Sequence, residues 1–313
     1  MTNDQVNIPD NIKNAIAANR PIVALESTVI AHGLPHPLNL ETAKACQQAI
    51  NQAGATPATI GIVEGVPTVG LTEEALQCFA QGRAPDGSKI EKVSLSNFAA
   101  VMCARRWGAT TVSASIKLAE LADLKVFSTG GIGGVHRGAS ESFDISADLT
   151  ALARVPIVCV CAGAKAILDL PKTVEQLETL GVPVVGFNTT EFPAFYSRKS
   201  GLAVDVTVQT ADEVAALALS HWQMGSMSAV LVGVPIPEAF EIAASEIERA
   251  TREALKLADE RGIRGKSVTP FLLERMKEIT AGETLRANQA LLINNAKVAA
   301  QIAVSLSNKK GTG

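Results

Sequence analysis

Lys165 stands in Cys161-Ala162-Gly163-Ala164-Lys165, directly after the apolar run Val155 to Val160. That run is short, β-branched and introduced by Arg154-Val155-Pro156, so it reads as a buried strand. A lysine just past the carboxyl end of such a strand lies where open α/β sheets bind ligands. Small apolar neighbours desolvate an ammonium and favour the neutral, nucleophilic amine. Such an amine begins Schiff-base chemistry on a carbonyl or a masked sugar aldehyde. A solvated lysine at a helix start has the same local spacing, so the rest of the chain must decide.

A carboxylate follows the first aliphatic run, in Ala24-Leu25-Glu26-Ser27-Thr28, ahead of the Gly/Pro-shaped loop Ala31 to Pro37. With a raised pKa, Glu26 can act as a general acid or base; it can equally cap local backbone groups. Gly130, Gly131, Gly133 and Gly134 crowd the run Ser128 to Gly138. Their spacing predicts backbone N–H groups open to an anion, with His136 and Arg137 as further donors. The sixth position of Gly131-x-Gly133-x-x is His136 rather than glycine, and no Gly-Lys-Ser/Thr ending follows. The run is therefore neither a dinucleotide fingerprint nor a P-loop. In Phe143-Asp144-Ile145-Ser146-Ala147-Asp148-Leu149, Asp144 can N-cap a helix from Ile145. A helix through both aspartates would instead put Asp144 and Asp148 on one face, fit for a divalent cation or a sugar hydroxyl. The aromatic run Glu191 to Tyr196 reads as a hydrophobic cluster, with a lid as the alternative.

The elements that must position these residues alternate. Strands are expected over Ile22–Leu25, Thr59–Val63, Lys125–Ser128, Ile157–Val160, Val182–Gly186 and Ala229–Val232. Helices are expected over Asn39–Ala53, Thr72–Gln81, Asn97–Arg105, Ser113–Ala122 and Thr173–Leu180, the last opened by a Thr173-x-x-Gln176 capping box. Glu64-Gly65 reads as a hairpin turn. From Pro237 onward the pattern is helical (Glu238–Arg261, Thr269–Glu278, Leu285–Ser305), broken at Gly262, Gly265 and Gly282. The fold class is α/β: a three-layer α/β/α arrangement with a central, largely parallel sheet and a helical C-terminal segment. Residues 1–313 form a single domain, with 307–313 as a disordered polar tail.

A net charge of −3 and the lack of a dense basic stripe exclude a nucleic-acid polymer as the main partner. The five cysteines show no CxxC spacing, which points to reduced thiols. No secretory signal is legible at the amino terminus, and no apolar stretch approaches the roughly 20 residues that span a bilayer. The expectation is a soluble cytoplasmic protein.

Several motifs converge on one family: Ala24-Leu25-Glu26-Ser27, Pro57 to Gly61, Gly108 to Val112, Gly130 to Gly138, Asp144 to Asp148, Val160 to Lys165, Glu191 to Tyr196 and Asn294-Asn295. In order and over nearly the whole chain they resemble the pseudouridine-5'-phosphate glycosidases, the indigoidine-synthase-A-like family. The resemblance implies cleavage of the C–C glycosidic bond of pseudouridine 5'-phosphate to uracil and ribose 5-phosphate. It implies Lys165 as nucleophile, Glu26 as proton donor and Asp144 as ligand of Mn2+ or another divalent cation, one per subunit. Lys92, Val112 and Ser146-Ala147-Asp148 fall where substrate binds, and His136 and Asn288 match further substrate positions. A small-molecule nucleotide substrate, no membrane partner and a homotrimer are implied with them. The stretch Leu95-Ser96-Asn97 after Lys92 departs from an Arg-Asp-Leu pattern common in the family, which bears on phosphate binding or a subunit contact. Two alternatives stay open: a Schiff-base lyase or C-glycoside synthase on another phosphosugar and nucleobase, and a non-enzymatic sugar-phosphate binder.

Overall fold

The structure, a computed structural model, describes residues 6–263 and 268–310. Its strands are β1 (Ile22–Leu25), β2 (Thr56–Val63), β3 (Val66–Val69), β4 (Glu91–Val93), β5 (Gly108–Thr110), β6 (Val126–Ser128), β7 (Val158–Cys161), β8 (Val184–Phe187), β9 (Val206–Val208) and β10 (Val230–Gly233). The helices are α1 (Asp10–Ala17), α2 (Leu38–Gln52), α3 (Glu73–Gln81), α4 (Phe98–Cys103), α5 (Val112–Leu121) and α6 (Ala139–Ser142). They continue with α7 (Ala147–Leu152), α8 (Leu170–Thr179), α9 (Ala211–Gln223), α10 (Ala244–Glu260), α11 (Val268–Ile279) and α12 (Glu283–Lys310).

The strands join in the order β4-β5-β2-β1-β6-β7-β10-β8-β9, with β3 also paired to β2. Pairing is parallel except where β2 meets β3 and β5. Every residue of β7 and β10 is buried, which explains why those strands read as continuous aliphatic runs without alternation. The expected hairpin is present: Glu64 and Gly65 both take positive φ (52° and 79°) between Val63 and Val66, as a type I′ turn requires.

α12 is long and apolar enough to cross a bilayer by length and composition. It packs instead against α2, α9 and the strands β1, β6 and β7, so it is a core helix. Its last turns include residues 307–310 of the expected tail, which are helical; residues 311–313 lie outside the described residues. Gly262 and Gly282 follow α10 and α11 with positive φ, as expected of helix stops, whereas Gly265 lies outside the described residues.

The capping box at Thr173 does not form. α8 begins three residues earlier, where the Asp169 side chain accepts from the Lys172 N–H and Pro171 sits in the first turn. Thr173 is buried within the helix, donating to the Asp169 carbonyl (2.7 Å) and accepting from the Val135 N–H (3.0 Å). A threonine three residues before a glutamine fits either place, and the proline decides between them.

Candidate active site

Three neighbouring strands end side by side. Leu25 of β1 is in register with Ser128 of β6, and Ser128 with Val160 of β7. The residues that follow each strand therefore meet at the carboxyl edge of the sheet, where parallel α/β folds form their crevices. Glu26, Gly130 and Lys165 line one cleft there, with a volume of about 460 Å³. Across the sheet edge, β4 brings Lys92 to the same cleft, and Thr111 and Ser113 face it from the start of α5.

Lys165 is held through its backbone, its N–H donating to the Ile132 carbonyl (3.1 Å) and its carbonyl accepting from the Leu168 N–H (3.0 Å). Two residues before it, Gly163 has φ +88°, and a Cβ there would lie 1.8 Å from the Pro193 carbonyl oxygen. Glycine at 163 is thus a packing requirement of the loop that carries the lysine. Glu26 is buried, and its carboxyl accepts a short hydrogen bond from the Thr129 hydroxyl. Burial pushes its pKa up; the charge of Lys165, the Thr129 hydrogen bond and Lys92 oppose that, while Asp148 adds to it.

In the Gly-rich run several backbone donors are already engaged. The Ile132 N–H donates to the Gly163 carbonyl (3.1 Å), the Gly133 N–H to Asp148 Oδ2 (2.8 Å) and the His136 N–H to the Asp144 carbonyl (3.0 Å). These donors tie the loop to neighbouring segments. The glycines also serve close approach: a Cβ at Gly131 would lie 2.5 Å from the Phe195 ring, and one at Gly134 would lie 2.4 Å from Thr173 Oγ1. Arg137 is also spoken for, in a bidentate pair with Glu248 of α10 (2.9 and 2.7 Å).

Asp144 and Asp148 do not share a helix face. Ser146 caps α7, accepting from the Asp148 N–H, so Asp144 precedes the helix and caps nothing. Asp148 is buried, with Oδ1 accepting the Ser113 N–H (2.9 Å) and Oδ2 the Gly133 N–H. The Asp144 carboxylate is part-exposed on the cleft wall, 3.9 Å from Nδ1 of His136. Desolvation pulls the His136 pKa down against the pull of Asp144, and Lys165 and Lys92 lower it further. Among the described residues no group of three His, Cys, Asp or Glu side chains gathers as a metal cluster. One hard carboxylate suits a divalent ion that keeps most of its water, and does not suit zinc.

Lys92, His136, Ser146, Ala147, Asp148 and Asn288 all line the cleft. Val112 does not: its side chain is buried in the core, and its neighbours Thr111 and Ser113 face the cleft instead. The Asn288 carboxamide Oδ1 is buried without a hydrogen-bond partner among the described residues. The departure after Lys92 has a structural role. Asn97 Nδ2 donates to the Lys92 carbonyl (3.0 Å) and Oδ1 accepts the Ser94 N–H (2.9 Å), holding a turn on which Ser94 and Ser96, their hydroxyls hydrogen-bonded to each other (2.9 Å), line the cleft. Asn97 occupies the N-cap position of α4, yet its side chain folds back and makes no capping bond.

Sequence reasoning gave no role to His32, Thr129 or Asn295. His32 reaches the cleft from a π-helical turn, Val29–Gly33; its pKa is pulled down by desolvation and by Lys92, against the carbonyls of Glu91 and Ile90. Thr129 and Asn295 stand inside the motifs above, but only the fold sets Thr129 against Glu26 and Asn295 against Thr129. The aromatic run is packed core, as expected, with Phe192, Phe195 and Tyr196 all buried. Phe195 also forms part of the cleft wall.

The family described as Indigoidine synthase A like protein matches residues 11–305. A pseudouridine-5'-phosphate glycosidase of Caldanaerobacter subterraneus subsp. tengcongensis is 50% identical over 302 residues, covering 96% of this chain and 97% of its own. One from Clostridium botulinum is 47% identical, covering 98% and 99%. Among solved structures, a prealnumycin C-glycosynthase in complex with ribulose 5-phosphate superposes with a TM-score of 0.90 at 36% identity, covering 98% of this chain and 99% of its own. An indigoidine synthase A-like protein of Thermotoga maritima gives 0.86 at 38% identity, with 97% of each chain covered.

Proposed function

This chain belongs to the indigoidine synthase A-like family, and we propose that it is a C-glycosidase that splits pseudouridine 5'-phosphate into uracil and ribose 5-phosphate. The observation that carries this reading is one cleft holding a lysine and a buried carboxyl of raised pKa, with Lys92 at its edge. A sugar-phosphate binder needs the cation but neither of the other two.

A C–C glycoside has no electronegative leaving atom, so the two-carboxylate mechanism of O-glycosidases is inadequate. In the proposed sequence, the Lys165 amine bonds to C1′ as the C1′–O4′ bond breaks and the sugar ring opens, the amine's proton passing to the O4′ oxygen. Glu26, still protonated because it is buried, delivers its proton to C5 of the base. The Lys165 nitrogen lone pair then forms the iminium as the C1′–C5 electrons restore the C5–C6 double bond, and uracil leaves. Water adds to the iminium, ribose 5-phosphate departs, and the released proton returns to Glu26. Lys92, with the Ser94 and Ser96 hydroxyls beside it, supplies the donors that a phosphate needs.

Asp144 is the residue that would hold a divalent cation, manganese by the family resemblance, through one carboxylate and ordered water. Bound there, the ion would supply positive charge and orientation to oxygen ligands. The assembly is proposed as a homotrimer. Leu95, Phe143 and Ile145 are exposed near the cleft rim and support a subunit contact on that side. The five free cysteines suit a cytoplasmic setting.

Incubation with pseudouridine 5'-phosphate and manganese, with chromatography for uracil, tests the activity; no uracil from fully metallated protein would overturn it. The C-glycosynthase among the structural neighbours favours a second reading, the same chemistry run toward bond formation. Ribose 5-phosphate supplied with uracil, and separately with other carbon nucleophiles, distinguishes the two.

A further inference from the structure

Glu26 does not stand alone at the end of β1. The Thr129 hydroxyl donates to Glu26 Oε1, and among the described residues that hydroxyl has no second acceptor. Its carbonyl is fixed in turn by Asn295 of α12, whose Nδ2 lies 2.9 Å from the Thr129 oxygen and 3.4 Å from that of Gly130. Two carbonyls on one side of the carboxamide settle its orientation, since only the NH2 group can face them. Thr129 and Asn295 are both essentially inaccessible to solvent.

We propose that Thr129 is a positioning residue for the proton donor: by occupying Oε1 it confines the acid proton to Oε2 of Glu26, and Asn295 holds it there. A carboxyl whose proton can rest on either oxygen presents it to the substrate only part of the time, whereas one oxygen already accepting a hydrogen bond leaves a single site. The inference rests on Glu26 being the proton donor. Thr129 also stabilises the carboxylate that remains after proton transfer, and so makes Glu26 a stronger acid than burial alone would leave it. The other groups that act on Glu26 are Lys165, Lys92 and Asp148, and the Cys159 thiol senses it in turn. None of them is altered by a change at Thr129.

Thr129→Val keeps the shape and removes the donor; Thr129→Ser keeps the donor. In Thr129→Val, kcat for uracil release should fall about tenfold or more, up to the roughly 10²–10⁴-fold that a general acid contributes in total. The alkaline limb of its pH profile should move to higher pH, because the lost hydrogen bond had favoured the ionised form. Borohydride trapping of ribose 5-phosphate should stay at the wild-type level, and Thr129→Ser should recover most of kcat. An unchanged kcat and alkaline limb in Thr129→Val would overturn the inference. So would a loss of trapping and cleavage together that serine fails to restore, since that marks a structural role only. Glu26→Gln is run alongside: if it still releases uracil, the proton-donor reading falls and takes this inference with it. An inactive Glu26→Gln beside an unaffected Thr129→Val defeats the Thr129 role alone.

Discussion

Asp148 Oδ2 accepts the Gly133 N–H at 2.8 Å, and this bond ties the Gly-rich run to the first turn of α7. The same carboxylate takes the Ser113 N–H at the start of α5, so one side chain joins two helix starts and a loop behind the cleft. A Cβ at Gly133 would lie 2.3 Å from Ser146 Oγ, 2.7 Å from Ser146 Cβ and 2.8 Å from Asp148 Oδ2, and both side chains could move only by giving up the hydrogen bonds they make. Gly133→Ala should therefore lower thermal stability, overpacking of this kind costing about 1–3 kcal/mol. Asp148→Asn should cost a similar amount, about 1–3 kcal/mol, because a carboxamide cannot accept both amides with its oxygen alone. Equal melting temperatures for wild type and both variants would show that the bracket contributes nothing.

Lys165→Ala should abolish uracil release while the melting temperature stays close to the wild type, since the side chain reaches into the cleft and the backbone makes the local bonds. Borohydride reduction in the presence of ribose 5-phosphate should add one phosphosugar mass to the wild type and none to the variant. Mass spectrometry that maps the adduct to another lysine, with activity kept in the variant, would remove Lys165 from the mechanism.

The strand ends were legible in the sequence because β1, β6 and β7 are short β-branched runs, and chemistry-bearing residues follow two of them directly. The sequence places β1 over Ile22–Leu25, and the strand forms over the same residues. β4, β5 and β9 are not legible in the sequence: three residues each give too short a pattern for a period to show. The Gly-rich run stands out in the sequence, but its pattern does not say which glycines open backbone donors and which permit close packing. Flexible backbone and close packing both call for glycine, and only tertiary contacts such as those at Phe195 and Thr173 tell them apart. Thr129 was hidden for a related reason, since its partners are 103 and 166 residues away along the chain.

Exhaustive chelation should remove most of the activity, and Asp144→Ala should leave a protein that manganese no longer rescues. Asp144 makes no capping bond and its carboxylate is part-exposed, so its loss should leave the fold unchanged. Manganese binding followed by calorimetry supplies a readout independent of turnover. Undiminished affinity in the variant would move the metal away from this wall.

Lys92→Ala should raise KM for the phosphorylated nucleoside more than for free pseudouridine, leaving kcat near the wild-type value. The lysine lines the cleft beside the Ser94 and Ser96 hydroxyls, a donor set suited to phosphate oxygens. Equal KM increases for the two substrates would place the phosphate elsewhere.

Glu26 also leaves a mark on stability that is separate from catalysis. Its folded pKa is raised, chiefly by burial, above the value of 4.5 that holds for an exposed glutamate. Below that value the group is protonated in both states and does not affect folding. As pH climbs toward the folded pKa, the unfolded chain has released its proton while the native state still holds it, so the unfolded chain gains ground. Glu26→Gln removes this titration while its amide oxygen can still accept from the Thr129 hydroxyl. The variant should therefore melt at a higher temperature than the wild type near neutral pH, with the difference shrinking toward pH 4. Melting curves across that range provide the check. A difference that stayed constant with pH, or grew toward the acid end, would mean that Glu26 is ionised at little cost in the folded protein and is too weakly protonated to serve as the acid.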